Sequence, residues 1–122
     1  MHIRNASEAL RNHRGGQISH LLLGPGDFGA KNLTITWVEG EPESRQSNHT
    51  HPDSEQVYVI VRGRGRMFVG EESSLVQEGT MILIPPGASH SIENVGEDPL
   101  VYVSATALPF ALPDVDSGRA YS

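Results

Sequence analysis

Two histidines separated by one residue, His49 and His51, are the first feature of this chain that could do chemistry. In extended backbone, residues i and i+2 project from the same side, so the two imidazoles can share one ion. Imidazole suits Zn, Cu, Fe, Ni and related metals. Pro52-Asp53-Ser54 then makes a turn, since proline and aspartate fit its first central positions. The chain re-enters extended structure at Glu55-Gln56, which can return another ligand beside the first two. A further imidazole, His90, follows the tight Pro85-Pro86-Gly87 turn. His-x-His pairs are common on protein surfaces; the turn that follows this one gives it weight.

These side chains need short, punctuated elements to position them. With 13 Gly and 8 Pro in 122 residues, the segments between breaks suit strands better than helices. Residues 6–12 have room for one or two helical turns, capped by Ser7. Strands are expected at Ile18–Leu23, Leu33–Val38, Val57–Val61, Met67–Val69, Leu75–Val76, Met81–Ile84, His90–Glu93 and Leu100–Ala105. Leu33–Val38 alternates apolar and hydroxyl residues, the period-two mark of a half-buried strand. Val57–Val61 is a continuous β-branched and aromatic run, as expected of a strand covered on both faces. Residues 39–47 read as a loop, and Gly63-Arg64-Gly65 as a hairpin turn. Eight or more short strands at this spacing indicate an all-β sandwich or barrel. A single domain spans 1–122, with its core at about 16–112 and a frayed tail from about Pro113.

Gly79, Pro85, Gly87, His90 and Asn94 stand at the separations of the second motif of the cupin superfamily, G-x5-P-x-G-x2-H-x3-N. The first motif, G-x5-H-x-H-x3or4-E-x6-G, is matched from His49 to Gly63 with two departures. Glu43 stands where the leading glycine belongs, and the acidic ligand falls ambiguously on Glu55 or Gln56. The chain thus resembles a small cupin, which implies a double-stranded β-helix, two antiparallel sheets rolled into a jelly-roll-like barrel. The resemblance also implies one divalent transition metal per chain (Fe, Mn, Ni, Co, Cu or Zn) on His49, His51 and His90. The family pattern points inward the residue just before Val-Tyr-Val-Ile-Val. Because a strand alternates, only one of the adjacent pair can face the metal, and the register favours Gln56. Glu55 is then a general-base candidate or, more simply, a surface residue. Tyr58 and Ile60 share the parity of Gln56 and are expected to line the pocket. Arg62 shares it too and is a candidate for binding an anionic substrate. Arg45 and Gln46 are placed to reach the pocket mouth. His2, His13 and His20 lie outside both motifs and read as surface or satisfied histidines. Gly79, Pro85, Gly87 and Asn94 read as architectural.

The resemblance further implies a homodimer and a small-molecule substrate or ligand. The expected activity is that of a metal-dependent oxidoreductase of dioxygenase type, acting on a small oxygenated or carboxylate-bearing compound. A non-catalytic metal-dependent binding module, or a decarboxylase, isomerase or lyase, are the alternatives. A net charge of −6 argues against a nucleic-acid partner, which would want a basic face to displace counterions. Arg62-Gly63-Arg64-Gly65-Arg66, bracketed by strands, reads as solvated arginines on a turn. No apolar run approaches a membrane span, Met1–Asn5 carries no apolar signal region, and the absence of cysteine fits a cytoplasmic protein.

Overall fold

The computed structural model describes residues 1–107. The expected tail from Pro113, and residues 108–112 of the expected core, lie outside the described residues. Among the described residues, nine strands follow in chain order: β1 (Leu10–Arg14), β2 (Gln17–Leu23), β3 (Leu33–Gly40), β4 (Glu55–Arg62), β5 (Arg64–Val69), β6 (Glu72–Gln77), β7 (Met81–Ile84), β8 (His90–Asn94) and β9 (Leu100–Ala107). All pairings between them are antiparallel, in a six-stranded sheet β1-β2-β3-β9-β4-β7 and a three-stranded sheet β6-β5-β8. The fold is all-β, a double-stranded β-helix. Among the described residues, no helix is long and apolar enough to cross a membrane.

The inner face of the large sheet is built in rows. Thr34 of β3 stands opposite Thr106 of β9, and Thr106 opposite Gln56 of β4. The next row is Thr36, Ser104 and Tyr58, and the one after it Val38, Tyr102 and Ile60. All nine side chains are buried. One end of the interior is therefore polar and hydroxyl-rich, and the other apolar. The apolar end is closed by Met67, Val76, Ile92 and Leu100, which pack with Val38, Ile60 and Tyr102 into the core. The alternation seen in Leu33–Val38 is real, but its buried side is the hydroxyl side: Leu33 is exposed while Thr34 and Thr36 are not. A barrel with a polar interior inverts the usual reading of such a strand.

Three local expectations need correction. The helical turns over 6–12 reduce to one 3-10 turn, Ala6–Glu8, capped by Asn5 and not Ser7. Asn5 Oδ1 accepts from the Ser7 N–H at 3.0 Å, and Glu8 Oε1 accepts from the Asn5 N–H at 3.1 Å. Leu10–Arg14 then extends as a hairpin partner of β2, because Gly15 and Gly16 take positive φ (57° and 81°) and turn the chain back. Gly63 is not the tip of a hairpin, since β4 and β5 lie in different sheets. With φ at 88°, and with a Cβ there falling 2.6 Å from the Pro99 carbonyl oxygen, this residue forms a glycine-only corner between the sheets. Val57–Val61, finally, is covered on one face only: Tyr58 and Ile60 point inward, while Val59 and Val61 are exposed.

Asn94 is architectural, as its motif implies. Its Nδ2 donates to the carbonyls of Gly40 (3.2 Å) and Asp98 (2.8 Å), and its Oδ1 accepts from the Gly96 N–H at 2.9 Å. Glu43, where the resemblance calls for glycine, adopts φ 68°. The glycine conformation is thus retained without the glycine, at a steric cost of about 1–2 kcal/mol for an L-residue, partly offset by the stiffer unfolded chain. Glu43→Gly is expected to raise stability by up to about 1 kcal/mol, measured by denaturant unfolding. A clear loss of stability would show that the Glu43 side chain holds this turn.

Candidate metal centre

The three histidines are brought together by backbone hydrogen bonds before any ion is considered. Residues 44–49 run alongside β8. Ser44 accepts from the Asn94 N–H (2.9 Å), the Gln46 N–H donates to Ile92 (2.9 Å), and His49 and His90 exchange N–H···O bonds of 3.1 and 2.9 Å. The register slips by one residue between the Gln46–Ile92 and His49–His90 pairs. That slip reverses the parity of the chain: Gln46 is inward, Ser47 and Asn48 are exposed, and His49 then turns in again. His51 is pinned next, its carbonyl accepting from the Gly87 N–H at 3.1 Å. The Pro-Pro-Gly turn before His90 thereby holds the other end of the His-x-His pair.

The ring centroids of His49 and His90 lie 4.1 Å apart, those of His49 and His51 5.1 Å, and those of His51 and His90 5.7 Å. One ligand atom from each falls within 4.8 Å of the others. Nitrogens sharing an ion at about 2.1 Å stand roughly 3–3.5 Å apart, so the cluster fits after a modest closing movement. The tautomers suit ligation. The Ser47 carbonyl accepts from His49 Nδ1 at 2.8 Å and the Ala88 carbonyl from His90 Nδ1 at 3.1 Å, leaving Nε2 of each ring as the lone-pair atom. His90 Nε2 is buried and has no hydrogen-bond partner, a cost that a bound cation would remove. His49 and His51 are half-buried, so the cluster opens on that side.

Gln56 is buried on β4. Its Nε2 donates to Ser104 Oγ at 2.7 Å, and its Oε1 is buried without a partner. Glu55 is exposed. Tyr58 is buried edge-on to His90 at 5.9 Å and stacked on Tyr102 at 4.7 Å. Its hydroxyl meets both ends of the Gln46 amide, at 3.0 and 3.1 Å. Gln46 is therefore an interior residue and not one at the mouth. Arg45 stays outside, 3.9 Å from Glu93 and with its guanidinium over the Phe68 ring. Ile60 belongs to the apolar core. Arg62 does not join the histidines: a bulge after Ile60 breaks the inward parity, and the side chain is exposed. His20 is neither a surface nor a satisfied histidine, being buried with no partner on either ring nitrogen. Ser104, Thr34 and Thr106 were not singled out by their types; the hydroxyl alternation along β3 and β9 was the available signal.

Residues 36–106 match the cupin domain family, and the chain belongs to it. It is 31% identical over 103 residues to an uncharacterized protein of Methanocaldococcus jannaschii, covering 84% of this chain and 82% of that one. A glucose-6-phosphate isomerase of Pyrococcus abyssi is 30% identical over 78 residues, 60% of this chain but 38% of that enzyme. Among solved structures, a predicted oxalate decarboxylase from Thermotoga maritima superposes with a TM-score of 0.77 at 22% identity, covering 88% of this chain and 99% of that one.

Burial, helped by the neighbouring His49, lowers the pKa of His90 to about 4, although the Ala88 carbonyl acts in the opposite sense. A neutral imidazole is the form a metal needs. In the metal-free protein the unfolded chain takes up a proton at His90 below pH about 6.5, while the folded chain resists until about 4. Stability contributed by the neutral ring is thus present above 6.5 and is lost as pH falls through that window. Chelated protein is expected to lose stability, on the order of 1–3 kcal/mol, between these limits. His90→Asn should flatten that part of the profile in denaturant unfolding; an unchanged slope would place the titration elsewhere.

Proposed function

We propose that this chain is a metal-dependent cupin enzyme, an oxidoreductase of dioxygenase type acting on a small oxygenated or carboxylate-bearing compound. The observation that carries the metal dependence is the convergence of His49, His51 and His90 around a buried, unpartnered Nε2. Gln56 is the proposed fourth ligand, through its unpartnered Oε1. Fe, Mn, Ni, Co, Cu and Zn all suit imidazole and amide oxygen. A bound divalent metal would supply Lewis acidity at the substrate oxygens. Three neutral rings and an amide add no negative charge, so the centre favours carboxylate or enolate ligands. No Asp or Glu among the described residues is buried. The convergence of three imidazoles supports metal-centred chemistry over an isomerase that depends on an acid–base pair. Tyr58, hydrogen-bonded to Gln46, stands edge-on to His90.

A non-catalytic module that holds a small acid through the metal is the second reading. It rests on the same three-histidine cluster, which would hold a small acid through the metal without reacting with it. The outer face of the large sheet supports a homodimer: Val59 and Val61 of β4 and Met81 and Leu83 of β7 are 41, 36, 59 and 51% exposed, with Val57 facing Leu83 and Val59 facing Met81 in register. An apolar sheet face of this kind is normally covered.

Elemental analysis of untagged protein purified without chelator should find about one transition metal per chain. His49→Ala or His90→Ala should remove most of it while the far-ultraviolet circular dichroism of the barrel persists; full retention of metal would discard the ligand set. Gln56→Ala should weaken metal binding more than Glu55→Ala does. Dioxygen uptake with diketones or phenols separates the enzyme from the binding module. Light scattering should give about twice the 13.2 kDa chain mass, and Val59→Lys with Met81→Lys should halve it. A native monomer would discard the pairing.

A further inference from the structure

A glutamine differs from a glutamate ligand in one respect that the protein must manage. Its two ends have almost the same shape, but only the oxygen has a lone pair to give; the amide nitrogen is purely a donor. Which end faces the histidines therefore decides whether Gln56 can ligate at all. The chain contains a device for this choice. Ser104, on β9, lies diagonally across from Gln56, one step along from its directly opposed partner Thr106. Its Oγ accepts a 2.7 Å hydrogen bond from Gln56 Nε2, and Gln56 Oε1 is left buried with no partner. Tyr58, the next inward residue of β4, lies edge-on to His90, so the inner face of this strand runs beside the histidines. Two lone-pair atoms, Gln56 Oε1 and His90 Nε2, are orphaned in the same interior.

We infer that Ser104 is a positioning residue that fixes the Gln56 amide with its nitrogen turned away and its oxygen presented as a metal ligand. The inference rests on the reading of Gln56 as a ligand. Ser104 touches neither substrate nor metal and acts through Gln56 alone. Here the hydroxyl oxygen is the acceptor of that bond, which commits the amide nitrogen to Ser104 and leaves the amide oxygen free. A carboxylate at position 56 has two equivalent oxygens and needs no such orientation. Ser104 should therefore matter to the glutamine and hardly at all to a glutamate.

The test is a four-protein cycle (native, Ser104→Ala, Gln56→Glu and the double variant), with Co(II) affinity measured by calorimetry and by the visible absorption of the bound ion. Ser104→Ala is expected to weaken Co(II) binding tenfold or more in the native background, the usual cost of losing a partner that orients a ligand. In the Gln56→Glu background it should cost less than about threefold. Ser104→Thr, which keeps the hydroxyl, should restore native affinity, and the melting temperatures of the metal-free proteins check that each variant folds. An equal loss in both backgrounds would make Ser104 a packing residue and overturn the inference. So would no loss in the native background while Gln56→Ala does weaken binding. If Gln56→Ala leaves Co(II) affinity unchanged, Gln56 is not a ligand, and both the ligand reading and the role of Ser104 fall.

Discussion

The exchange of backbone hydrogen bonds between His49 and His90 is the contact on which the site depends. It joins a segment that is not a regular strand to the first residue of β8, and it does so one residue out of step with the pairing at Gln46 and Ile92. A slip of one residue in a strand turns every following side chain to the opposite face. Without it, Asn48 and Thr50 would point inward and the two imidazoles would point at solvent. The site is thus created by a register defect, and the Gly87 N–H that holds the His51 carbonyl keeps that defect from relaxing.

Around that contact the interior divides into two solvents. At one end, hydroxyls and amides from Thr34, Thr36, Gln56, Ser104 and Thr106 surround the inner sheet face; at the other, Val38, Ile60, Ile92 and Leu100 make an ordinary core. The stacked pair Tyr58 and Tyr102 spans the boundary, presenting an edge to His90 and a body to the aliphatic residues. Folding free energy comes mainly from the apolar end. Buried groups without partners include His90 Nε2, Gln56 Oε1 and Thr34 Oγ1 at the polar end, and Gln17 Nε2, Ser44 Oγ and both His20 nitrogens outside it. The candidate metal ligands lie at the polar end.

Much of this was legible in the sequence for a simple reason: turns carry their own chemistry. Glycine and proline at 63, 79, 85 and 87 bracketed the strands, and the spacing of His49, His51 and His90 to those turns identified the cluster. Alternation separated buried Gln56 from exposed Glu55. Alternation failed at Arg62, where a bulge after Ile60 could not be foreseen from residue types. It was silent on Thr34 and Thr36, because a two-period pattern states that the faces differ and not which one is inside. Strand β1 was missed since Leu10–Arg14 is polar, with its partner lying only on one side. Ser104 was invisible for the same reason as Thr34: small hydroxyl residues do not advertise burial.

The two margins of the six-stranded sheet differ in kind. β1 offers Arg11, His13 and Arg14 to solvent along one edge, and charged side chains there discourage another strand from pairing. β7 forms the other edge, is only four residues long, and runs straight into Pro85 and Pro86, which have no N–H to offer a ladder. Growth of this sheet by edge-to-edge addition is thereby discouraged at both ends. The exposed valines, Met81 and Leu83 project from the broad face of this sheet and not along its edge, so apolar exposure and edge pairing are kept apart there.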